Sequence, residues 1–122
     1  MAYNLLRPIQ IVTNGSMATS ITGPAIETKQ QDNIGFQLNW TGTPTGTFSF
    51  QVSMDYAQDI EGNVTNAGNW ITLTVSPAIT ATGAADIAYV DLNQLSAPYA
   101  RVVYTAVSGS GTLNAFITAK AV

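Results

Sequence analysis

The sequence predicts an all-β fold, an antiparallel β-sandwich or jelly-roll-like domain of about seven to nine short strands. Three observations predict it. Apolar and polar residues alternate strictly in several runs, no window sustains a 3.6-residue period, and turn residues recur at short intervals along the whole chain.

Near the start, Asn14-Gly15 lies between Ile9-Gln10-Ile11-Val12 and Met17-Ala18-Thr19-Ser20-Ile21. Asn-Gly supplies the positive φ angles of a tight type I′ turn, so these runs are expected to form a hairpin. Ala25 to Lys29 is a weaker strand candidate. Ile34, Phe36, Leu38 and Trp40 alternate with Gly35, Gln37 and Asn39, which places four apolar side chains on one strand face. After Thr41 to Gly46, with Pro44 and two glycines, the pattern returns as Phe48, Phe50, Val52 and Met54. These two runs are expected to pair as a second hairpin. Asp55 to Asn69 is the longest loop and holds three of the seven acids.

Beyond it, Ile71, Leu73 and Val75 form a half-buried strand and Ile87 to Val90 a weaker one. Asp91 to Ala97 lacks alternation and fits a single helical turn ended by Pro98. Tyr99 to Val107 is apolar at nearly every position, with Val102, Tyr104 and Ala106 on one face and Val103 and Val107 on the other. It is expected to be a central strand covered on both sides. Ser108-Gly109-Ser110-Gly111 then leads to a last strand with Leu113, Ala115, Ile117 and Ala119 inward, the expected C-terminal hairpin.

At 122 residues the chain is expected to form one domain, 1–122, with a single core. Its hydrophobic fraction is 46% and its mean hydropathy +0.16, which excludes disorder from lack of apolar material. Only 9% of residues are charged, against about a quarter in ordinary soluble domains. A surface of Thr, Ser, Asn and Gln suits a chain whose faces are covered by partners. The net charge is -3 and the four bases, Arg7, Lys29, Arg101 and Lys120, are scattered, so direct nucleic-acid binding is not expected.

Cys and His are both absent. Disulfides, thiolate metal sites and the commonest general base are thereby excluded, and neither an enzyme nor a cofactor is expected. Met1 to Pro8 lacks the apolar run of a signal peptide, and no stretch has membrane-spanning length, so synthesis in a cytoplasm with no membrane association is the expectation. The sequons at Asn14, Asn39 and Asn63 are then products of composition.

Several side chains are candidates for contact. Asp55, Asp59, Glu61 and Asn63 offer oxygen ligands in one loop, although their spacing matches no calcium-loop pattern and a solvated acidic loop is favoured. Asp55 with Asp59, or Asp86 with Asp91, could supply the paired acids of a glycosidase, but nothing in the sequence brings either pair across a cleft. Trp40, Trp70, Tyr56 and Tyr89 could build an aromatic platform for sugars. Trp40 continues an apolar stripe and belongs in the core, while Trp70 shares the parity of Thr72 and Thr74, which allows exposure or plugging of the sandwich end, with core or edge packing favoured. Phe116 lies on the polar face of its strand, and Val103 and Val107 would flank it if the last two strands paired. The candidate interface is therefore Trp70, Val103, Val107, Phe116, Asp55, Tyr56, Asp59 and Glu61.

Four pieces, Phe50-Gln51-Val52-Ser53-Met54-Asp55, Gly68-Asn69-Trp70-Ile71-Thr72-Leu73, Asn93 through Thr105 with Pro98-Tyr99-Ala100-Arg101-Val102-Val103-Tyr104 at its centre, and Ser108 through Ala115, occur in an order that resembles small β-sandwich structural proteins of tailed bacteriophage virions. The resemblance covers a little over half of the chain. It implies a non-enzymatic virion structural protein, a capsid decoration or cement protein that binds neighbouring capsid subunits and stabilises the shell, in a homo-oligomeric state. A carbohydrate-binding or adhesin-like module is the first alternative, and a tail, neck or baseplate role the second.

Overall fold

The computed structural model describes residues 5–28, 33–75, 78–92 and 97–120. Every regular element among them is a strand: β1 Leu5–Ser16, β2 Ile21–Thr22, β3 Ile26–Glu27, β4 Asn33–Gly42, β5 Thr45–Ser53, β6 Ala57–Gln58, β7 Val64–Asn66, β8 Ile71–Leu73, β9 Thr80–Thr82, β10 Asp86–Leu92, β11 Tyr99–Ser108 and β12 Gly111–Lys120. The total exceeds the expected seven to nine because six of these are only two or three residues long. Such pieces carry too few positions for alternation to be visible in the sequence.

The strands form two stacked antiparallel sheets. The first has the order β1-β12-β4-β10; in the second, β11 and β5 are central, with β2 and β3 on one side and β8 and β9 on the other. β6 and β7 make a separate two-stranded ribbon. The all-β sandwich expected from the alternation is thus the fold.

Its core follows the predicted parity. Ile34, Phe36, Leu38, Trp40, Leu113, Ala115 and Ile117 descend from the first sheet and meet Phe50, Ala100, Val102 and Tyr104 from the second, all buried. Phe36 packs on Phe50 and Trp40 on Phe48, each pair with ring centroids 5.0 Å apart across the layers. Each such ring contributes about 1.5–3 kcal/mol by leaving water. The Trp40 indole N–H donates to the Ala84 carbonyl at 2.9 Å, so its polar atom is satisfied at the core's rim. Leu73 packs against the same cluster.

All three expected hairpins are corrected. β4 and β5 do not pair: they lie in different sheets, as do β11 and β12. Both connections are arches that carry the chain from one layer to the other. Gly42 at φ +87° and Gly109 at φ +76° supply the left-handed turns that lift the chain out of its sheet. The arches are bonded to each other, the Thr43 N–H donating to the Ser110 carbonyl at 2.9 Å. Glycine and proline announce a reversal but not whether the returning strand lies beside its predecessor or above it. At the third site, β1 runs straight through Asn14-Gly15. Asn14 has a positive φ of 50°, as its residue type suggests, but spends it on a bulge against β12 between Val12 and Gly15.

Other departures are local. Met54 lies past the end of β5 and is 69% exposed, while Ser53 is fully buried. Ile71 shares the inward parity of Leu73 yet is 60% exposed, because β8 is a three-residue edge piece with little above it. β11 is central as expected, but only its Tyr99 end is covered on both faces; Val107 is 71% exposed. Asp91 and Leu92 continue β10 instead of opening a helical turn, and Ala97 is buried outside any helix; 93–96 lie outside the described residues, as does Lys29.

Candidate functional site

The first sheet presents an outer face built from the polar half of each alternation. Register puts Gln10 of β1 opposite Phe116 of β12, Phe116 opposite Gln37 of β4, and Gln37 opposite Tyr89 of β10. This row of amide, aromatic, amide, aromatic crosses all four strands and carries no formal charge. One flanking row is Asn114, Asn39 and Ile87, and the other Thr118, Gly35 and Asp91.

Tyr89 lies across Gly35: a Cβ there would come within 2.8 Å of the phenol oxygen. A glycine in mid-strand is otherwise a weakness, and here it gives the ring a bed. Beside it is a shallow depression of about 100 Å³, lined by Pro8, Gly35, Gln37, Tyr89, Phe116 and Thr118. The amides around it are held in place. Asn114 Oδ1 accepts from Gln10 Nε2 at 2.8 Å and from the Asn14 N–H at 2.9 Å, and Gln37 Nε2 donates to Asn39 Oδ1 at 3.3 Å. Ile87 and Tyr89 are each 62% exposed on this face.

The outer face of the second sheet is divided. At one end the 55–70 excursion folds over it. Trp70 stacks on the Arg101 guanidinium, 4.1 Å from its carbon to the ring centroid, while Tyr56 packs 5.5 Å from Trp70 and 4.8 Å from Tyr99. Arg101 Nε donates to Gln51 Oε1 at 2.8 Å, and Gln51 Nε2 to Thr72 Oγ1 at 3.2 Å, so a polar chain crosses the sheet beneath the rings. Desolvation under this cover holds the Arg101 pKa below its usual value, partly offset by Tyr56. The other end is open, with Ser49, Val103, Thr105 and Val107 outward.

The structure joins some of the predicted contact residues and separates others. Trp70 and Tyr56 touch, and Val103 and Val107 share their sheet face. Phe116 lies on the opposite side of the sandwich, so the expected Phe116–Val103–Val107 patch does not form. Its premise was the hairpin that proved to be an arch.

Asp55 closes the excursion, accepting from Asn69 N–H and Nδ2, each at 2.7 Å, and from Ser53 Oγ at 3.0 Å. Asp59 caps the ribbon turn, accepting from the N–H groups of Glu61 and Asn63, each at 2.9 Å. Glu61 is exposed at that tip. Both aspartates are held below the usual carboxylate pKa, Asp55 chiefly by the Asn69 N–H and Asp59 chiefly by the Asn63 N–H. Their oxygens organise the loop. No cluster of three or more acidic ligands occurs among the described residues.

Asp86 and Asp91 stand five residues apart on one strand, about 17 Å at strand rise, beyond the separation of a glycosidase pair. The aromatic platform also dissolves: Trp40 is in the core, Tyr89 is on the first sheet, and one face of Trp70 is taken by Arg101. Sequence reasoning missed Gln10, Gln37 and Arg101, and placed Tyr89 in the wrong group. The outward parity of Tyr89 within Ile87 to Leu92 was available as a signal, but which strands stand next to it was not.

No protein-family model and no characterised protein sequence matches the chain. Similar solved structures exist. The SPBc2 prophage-derived protein YomS is 10% identical with a TM-score of 0.50, the match covering 97% of this chain and 96% of that one. A chain from the structure of infectious bursal disease virus, Gx strain, is 9% identical with a TM-score of 0.52; the match covers 98% of this chain but 32% of that one, so the present chain spans about a third of its length. What these share with the present protein is the fold: a β-sandwich architecture also found in a prophage-derived protein and in a virus.

Proposed function

We propose that the chain is a non-enzymatic structural protein of a virion, a capsid decoration or cement protein that lays the outer face of its first sheet against neighbouring capsid subunits. The observation that carries this reading is the uncharged row Gln10, Phe116, Gln37 and Tyr89 across four strands. A flat, pre-ordered surface of amides and aromatics makes many modest contacts without desolvating charge. Repetition by capsid symmetry then converts weak contacts into firm attachment. The low charge content and the likeness of fold to a prophage-derived protein support the same reading.

The test is to mix the purified protein with capsids lacking it and image the product. Ordered density at symmetry-related positions, with the first sheet toward the shell, is the expected result. Absence from capsids together with binding to isolated tails or necks would move the protein to a connector role; binding to neither would overturn the reading.

A further inference from the structure

We infer that β10 is a self-pairing edge, through which two copies of this chain join their first sheets into one continuous eight-stranded sheet. An unpaired strand edge offers a row of backbone N–H and C=O groups to any second strand, and β proteins ordinarily blunt such edges. Among the described residues, three of the four edges of the two stacked sheets are blunted. β1 contains Pro8, which lacks a donor, and its pairing with β12 is broken by three register shifts. The second sheet ends in the two-residue pieces β2 and β3 on one side and the three-residue pieces β8 and β9 on the other.

β10 has none of these protections. Its seven residues run in unbroken register with β4, and among the described residues no backbone bond reaches its far side. Ile87 and Tyr89 are each 62% exposed on its outer face. Along its open flank lies a cleft of about 370 Å³, walled by Thr74, Val75 and Ile79 on one side and Val90 and Leu92 on the other. The inward side chains of an added strand would enter it.

The strand's own sequence favours a second copy as that strand. An antiparallel two-fold through Tyr89 keeps the parity of both faces. It sets Tyr89 opposite Tyr89 of the second copy, Ala88 opposite its Val90, and Ile87 opposite its Asp91. The two Asp91 carboxylates then stand four residues apart, about 13 Å, so no like charges oppose each other across the seam. With one unblunted edge in the two stacked sheets among the described residues, the contact is isologous and closes as a dimer instead of growing into a fibre.

This inference goes beyond the capsid reading and stands or falls without it. The test is the mass of the full chain by light scattering, with Ile87→Lys, Tyr89→Lys and two controls away from the β10 edge, Phe116→Lys in the middle of the first sheet and Val107→Lys on the second; circular dichroism confirms folding of each. The expected result is twice the 12.8 kDa chain mass for the parent and both controls. Either β10 variant should weaken the dimer about tenfold or more. A monomeric parent at micromolar concentration, or a dimer indifferent to both β10 substitutions, would overturn the inference.

Discussion

The carboxylate of Asp55 accepts hydrogen bonds from both the backbone N–H and the side-chain amide of Asn69, fourteen residues away, each at 2.7 Å. This pair staples the excursion that carries Tyr56, the β6–β7 ribbon and Trp70. The bonds favour the ionised acid, so the folded pKa lies below the unfolded value near 3.8. A depressed folded pKa contributes stability above the unfolded pKa, and that contribution is lost as pH falls through the folded value. Protection factors of the amides across 55–70 should therefore fall below about pH 4 while the β4 and β12 amides stay protected. In Asp55→Asn the acid step should shrink to the share contributed by Asp59. An unchanged acid step in that variant would refute the staple.

The Tyr104 hydroxyl is buried and has no hydrogen-bond partner among the described residues; it lies against Gly46, within the core beside Phe48. Burial raises its pKa above 10.0, so the group stays neutral, and its cost is that of a desolvated polar atom. Tyr104→Phe keeps the ring and removes the orphan. We expect a gain of about 1 kcal/mol, read as a melting temperature several degrees higher. A lower melting temperature would mean that the hydroxyl does have a partner.

The faces of the long strands were legible in the sequence and their neighbours were not. Alternation in Ile34–Trp40, Phe48–Val52 and Leu113–Ala119 reports which side chains are inward, because that is decided residue by residue by contact with the core. Pairing is decided between segments. The Ser108 to Gly111 loop serves a hairpin or an arch equally well, and only the partners of the flanking strands, β5 for β11 and β4 for β12, distinguish them. Since Phe116 and Val103 were grouped through a presumed pairing, the candidate site inherited the error. Trp70 and Tyr56 escaped it because the excursion that holds them is local.

Arg101 and Trp70 form the lid over the covered end of the second sheet. Replacing Arg101 by Ala removes the stacked cation and the bond to Gln51, at an expected cost of about 1 kcal/mol. Lys restores the charge but not the flat stack, so Arg101→Lys should recover only part of the loss. Tryptophan fluorescence separates the two indoles: Trp40 stays dry in the core while Trp70 should shift to the red in Arg101→Ala. Unaltered emission together with an unaltered melting temperature would remove the lid from the account.

Phe116 tests whether an aromatic on the polar side of a strand serves stability or contact. It is half-buried among Gln10, Gln37 and Tyr89, whereas Phe50 is 1% exposed between the sheets. Phe50→Ala should cost about 3–5 kcal/mol through lost transfer energy and the cavity left behind. Phe116→Lys opens no cavity, and its stem can lie along the same surface while the ammonium reaches water, so stability should fall by less than about 1 kcal/mol. Attachment to capsids should nevertheless fail, because a charge would be desolvated in the middle of the contact row. Retained binding with an intact fold would shift the docking surface off the first sheet; loss of folding would make Phe116 part of the core's support.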